Sequence, residues 1–133
     1  MDKSMTFEQV AGYFVVAHGR KPAAREEWTE FYSALSRDTA YLRGLLVYSA
    51  GGALDVNQRS DLFQIHRKAG FRVAVLSDSM LVRGAITALR WLEVQAKSFK
   101  PAETDAALDY LAATEPARAG LKRALERQIA QVG

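Results

Sequence analysis

The chain has 133 residues, 49% of them hydrophobic and 25% charged, with a formal net charge of +3 and no cysteine. That composition fits one globular domain able to bury roughly two-thirds of its unfolded surface. The absence of cysteine excludes a disulfide framework, thiolate metal sites and thiol catalysis.

In chain order, Thr6 to Val10 and Tyr13 to His18 are β-prone runs separated by Ala11-Gly12, which predicts a tight hairpin. Phe14, Val16 and His18 share one face of the second run, and Tyr13, Val15 and Ala17 the other. Apolar groups on both faces predict a strand covered on both sides. Gly19 breaks this strand, and Pro22 suits a first helical turn. Ala24, Trp28, Phe31, Tyr32 and Leu35 then recur at helical spacing. They predict an amphipathic helix of about four turns, with Glu26 and Glu27 near its N-terminus.

Gly44 to Tyr48 reads as a buried strand, followed by a loop over Ser49 to Ala53. Asp55 or Asn57 caps a second helix that ends before Gly70. Phe71 to Leu76 is a further strand, and Ser77-Asp78-Ser79 caps a long third helix over roughly Met80 to Ala96. A short strand near Ser98 to Lys100 stops at Pro101. Thr104 or Asp105 opens a fourth helix, and Pro116 a fifth with a narrow apolar stripe at Leu121, Leu125, Ile129 and Val132. The order ββαβαβαβα plus a tail helix predicts an α/β fold. Its sheet is mixed and mostly parallel, of about five strands, with an N-terminal hairpin and right-handed crossovers. Residues 1–113 read as the α/β domain and 114–133 as a C-terminal helical extension.

Several stretches also carry a family pattern: Phe71-Arg72-Val73-Ala74-Val75-Leu76, then Arg83-Gly84-Ala85-Ile86 and Leu89 to Leu92. The end, Ser98-Phe99-Lys100-Pro101 leading into Asp105 to Leu111, completes it. With this order of elements the chain resembles the SpoIIAA-like group, relatives of the STAS domains that include bacterial anti-sigma-factor antagonists. The resemblance covers about Phe7 to Leu111. It implies a regulatory module that binds proteins and sometimes nucleotides or lipids. The best-known members carry a phosphorylatable Ser in an Asp-Ser-Ser-Gly-like segment opening the second helix. Here that region reads Leu54-Asp55-Val56-Asn57-Gln58-Arg59-Ser60-Asp61. The segment is missing, and Ser60 is the nearest candidate phosphosite.

Catalysis needs convergent groups. His18 and His66 fall in different elements, and each reads as a packed or rim histidine. No carboxylate or histidine cluster has metal-ligand spacing, and neither a Gly-x-Ser-x-Gly elbow nor a Walker sequence occurs. The expectation is no catalytic site, no metal and no cofactor.

Two regions suit binding. In open α/β sheets ligands sit at the carboxyl ends of parallel strands. Here Ser49, Gly51, Gly52, Ser77 and Ser79 line two such loops ahead of helix N-termini, which favour anions. The alternative is that Ser77, Asp78, Ser79 and Asp55 simply cap their own helices. On the third helix, Val82, Ala85, Ile86, Leu89, Leu92 and Ala96 form a core stripe. Beside it runs Met80, Gly84, Thr87, Ala88, Trp91 and Gln95, bordered by Arg83 and Arg90. This flank reads as a partner surface, as a face covered by the last helices, or as part of a wide core stripe. The tail helix packs on its own domain, on a second subunit, or weakly on an anionic membrane.

The leading expectation is a non-catalytic regulatory or scaffolding module that binds another protein through Met80, Arg83, Gly84, Thr87 and Trp91. A homodimer through the third or tail helix is one form of it. The alternative is a small-molecule or lipid-binding domain using the sheet end or a pocket beside the third helix; an enzyme ranks last. Lys and Arg are interleaved with Asp and Glu, which argues against nucleic acid. The first residues lack a signal-peptide pattern and no apolar run approaches the ~18 residues of a membrane span, so a cytoplasmic location is expected.

Overall fold

In a computed structural model, which describes residues 3–133, the hairpin forms where the turn chemistry places it. β1 (Met5–Val10) pairs antiparallel with β2 (Tyr13–His18). Both turn residues, Ala11 (φ 54°) and Gly12 (φ 87°), are left-handed, as a two-residue turn matching the strand twist demands. Then follow α1 (Arg25–Arg37), β3 (Gly44–Ser49), α2 (Val56–Ala69), β4 (Arg72–Leu76), α3 (Met80–Trp91) and β5 (Ala96–Phe99), with a short 3₁₀ turn over Thr39–Tyr41. The strands lie in chain order, β1-β2-β3-β4-β5, and every pair after the hairpin is parallel. This is the mixed α/β sheet that the periodicity predicts.

The topology dictates the layers. Three successive strand–helix–strand units step the same way across the sheet, so right-handed crossovers put their helices on one face. α1, α2 and α3 cover that face, burying Trp28, Phe31, Leu62, Ile65, Ile86 and Leu89 with Phe14, Val16, Leu45 and Val75. The other face, with Tyr13, Val15, Leu46 and Ala74, must be closed by whatever follows β5. α4 (Thr104–Tyr110) covers its β4–β5 side and α5 (Ala117–Ile129) its β1–β3 side. Residues 114–133, expected as an extension, supply α5, whose Leu121, Ala124, Leu125 and Gln128 are buried.

Helix boundaries show where local chemistry yields to tertiary contacts. α1 begins at Arg25, not at Pro22. The Ala24 N–H donates to Ser4 Oγ at 2.8 Å and Ser4 also bonds Glu27, so contact with the chain ahead of β1 sets the start. α2 starts at Asp55 in a capping box with Gln58 and ends on left-handed Gly70, as predicted.

α3 stops at Trp91 and does not reach Ala96. Glu93 is left-handed (φ 63°), its N–H bonds Arg90 O at 2.9 Å, and the Val94 N–H bonds Leu89 O at 3.1 Å. This is a Schellman ending built without glycine. Leu92, expected in the core stripe, is therefore beyond the helix and exposed. Gln95 lies in the turn, and Ala96 opens β5, which runs 96–99 rather than 98–100. α4 ends the same way, with Ala112 left-handed (φ 59°) and Ala113 N–H bonded to Leu108 O at 3.0 Å.

Candidate functional site

The outer face of α3 follows from its sequence spacing. Met80, Gly84, Thr87 and Trp91 recur at intervals of four, three and four residues, which returns to one side of a helix with 3.6 residues per turn. All four are exposed, Met80 at 81% and Trp91 at 82%. Neither α4 nor α5 covers them, because both lie across the sheet. Thr87 Oγ1 donates to Arg83 O at 3.1 Å, so the hydroxyl is engaged with the helix backbone. By the same helical angles Arg83 and Arg90 border one side of the stripe, and Leu81 and Ala88 the other. Arg83 Nε is buried without a hydrogen-bond partner, and neither arginine pairs with a carboxylate among the described residues.

Gly84 stands in the middle of this stripe. A Cβ there would meet nothing within 4 Å among the described residues. A helix-interior glycine is about 1 kcal/mol less stable than alanine, and this chain's own packing does not require it.

The carboxyl edge of the sheet is built differently. Ser49 Oγ donates to Gly52 O at 2.6 Å and accepts from the Gly51 N–H at 3.1 Å. Ser77 Oγ donates to Ser49 O at 2.8 Å and accepts from the Ser79 N–H at 3.1 Å. Ser79 Oγ accepts from the Val82 N–H at 3.3 Å, and Asp55 accepts from the Gln58 N–H at 2.8 Å. Gly52 is tightly seated: its N–H bonds Gly19 O at 2.8 Å, and a Cβ would lie 2.2 Å from Lys21 O. The five loop residues read as ligand-binding thus come together, but their polar groups hold the loops and cap the helices.

The two histidines lie on different elements, His18 on β2 and His66 on α2. His18 ends β2, opposite Ser49 in the parallel register. Burial pushes its pKa down to about 4, so it is neutral at physiological pH. His66, near the end of α2, accepts the Gln95 N–H through Nε2 at 3.2 Å. Burial also lowers its pKa, opposed by a hydrogen bond that the imidazole donates to the backbone of Phe71. No group of three or more His, Cys, Asp or Glu with metal-site geometry exists among the described residues.

No family model matches the chain, and no curated protein or solved structure shows a significant match to it.

Ser60 is exposed on α2, one turn past the Asp55 cap. It lies beside Asp61, whose Oδ2 accepts the Trp28 indole N–H at 3.0 Å. No helix among the described residues is long and apolar enough to cross a membrane.

Proposed function

We propose that this chain is a non-catalytic binding module that docks another protein on the outer face of α3. The regulatory, STAS-like and bacterial part of this reading rests on the sequence resemblance alone. What carries the docking reading is Gly84, a destabilising helix-interior residue placed between exposed Met80 and Trp91 with no internal contact to explain it. A glycine there lets a partner approach the helix backbone closely, flanked by the large side chains that anchor interfaces.

The borders suggest the partner's chemistry. Arg83 and Arg90 lie along one side, and α3 has no carboxylate between Met80 and Trp91. A second copy laid along α3 brings two more arginines and no acid. A different protein, presenting an apolar ridge edged by Asp or Glu, fits better. The tail helix offers less, since its Leu121, Ala124, Leu125 and Gln128 are already buried.

The test is affinity capture with the wild-type chain, Trp91→Asp and Gly84→Leu, each checked for native circular dichroism. A protein retained by the wild type and lost with both variants supports the reading. Equal recovery by all three overturns it.

A further inference from the structure

Between the sheet and α3 lies a cavity walled by apolar side chains, among them Val16, Val47, Val75, Val82, Ile86 and Leu89. His18, Trp28 and Ser49 contribute its polar side-chain groups. Trp28 Nε1 is engaged by Asp61 Oδ2 at 3.0 Å, and Ser49 Oγ by Gly52 O at 2.6 Å. His18 differs: it is 5% exposed, and its Nδ1 has no hydrogen-bond partner among the described residues. Buried polar atoms are seldom left this way.

We propose that this cavity binds a small uncharged molecule with an apolar body and one hydroxyl group, the hydroxyl bonding His18 Nδ1 and the body lying beneath α3. This goes beyond the docking reading and does not depend on it.

The head group follows from the imidazole. A neutral histidine presents one donor and one acceptor nitrogen, and a hydroxyl serves Nδ1 in either tautomer. A carboxylate does not suit the site. No cationic side chain lines the cavity, and burial keeps His18 uncharged down to about pH 4, so an anion would be desolvated without a counter-charge. The body follows from size. The cavity measures about 50 Å³, against the ~150 Å³ that holds benzene, so an apolar body of about one or two carbons fits and a longer chain or a ring does not. Ala53, Leu54 and Ala85 line it and are only partly buried, which marks where it meets solvent.

The experiment is a titration of the native chain with ethanol, followed by long-range proton–nitrogen correlation of the imidazoles, with sodium acetate as the charged control. Saturable movement of the His18 nitrogens, with His66 unmoved and acetate at least fivefold weaker, is the expected result. His18→Phe should weaken ethanol binding about fivefold or more, the value of one hydrogen bond. Ala85→Met, which fills the cavity from α3, should abolish it. No saturable movement of His18 means that the cavity holds water only, and overturns the proposal. Acetate binding as tightly as ethanol overturns it too. The wild-type titration decides the matter even where a variant fails to fold.

Discussion

The Val94 N–H bonds the Leu89 carbonyl at 3.1 Å, turning the chain back beneath the last turn of α3. Both side chains are buried in the same cluster, the apolar contact that accompanies a Schellman ending. The turn forces Glu93 to φ 63°, where a non-glycine residue is strained by roughly 1 kcal/mol. Glu93→Gly should therefore raise stability by about 0.5–1 kcal/mol, less than the full strain because glycine gains unfolded-state entropy. Ala112→Gly, at φ 59° after α4, should do the same. Urea denaturation checks both, and a loss of stability in either variant refutes this explanation of the turn.

His18 makes stability depend on pH. Its pKa is about 4 in the fold because burial disfavours the imidazolium, against about 6.5 unfolded. Above pH 6.5 both states hold it neutral and no stability is lost. As pH falls from 6.5 to 4 the unfolded chain takes up the proton first, so the fold loses up to roughly 3 kcal/mol. His66 and the carboxylates titrate as well, so the useful quantity is a difference. The wild type minus His18→Leu, measured by denaturation at pH 7.5 and pH 4, should carry this loss. Parallel curves for the two proteins would show that His18 is not held neutral.

Gly84 separates folding from binding. With open space where a Cβ would stand, Gly84→Ala should stabilise the isolated chain by about 0.5–1 kcal/mol through helix propensity. The same methyl group should weaken any partner that approaches the helix closely. Higher thermal stability with reduced partner recovery is the expected pair of results. Unchanged or lower stability would show that the glycine serves the fold.

Much of the architecture was legible because short apolar runs alternate with helical stripes. The face assignment of β2, with Phe14, Val16 and His18 together, follows from strand alternation alone. The α3 stripe was equally readable from spacing. Whether α3 was covered was not readable, because that depends on α4 and α5 taking the opposite face of the sheet. The end of α3 was hidden for a local reason: glycine is the usual sign of a left-handed stop, and here Glu93 fills that place. The His18 cavity was out of reach for a third reason. It is a mismatch of packed shapes among α1, α2, α3 and the sheet, and no single segment encodes it.

α5 provides the strongest test of the layer argument. Leu121 is fully buried beside Val15 and Leu46 on the face that the crossover helices cannot reach. Leu121→Ala should cost about 2–5 kcal/mol, the range for truncating a buried leucine. Truncation after Ala113 goes further, since it uncovers β1 to β3 on that side. The shortened chain should bind a hydrophobic dye such as ANS strongly and lose its cooperative thermal transition, because a sheet with one bare apolar face has no closed core. A truncated chain that melts cooperatively near the full-length midpoint, with no dye binding, would show that α5 is dispensable and that residues 3–113 close both faces unaided.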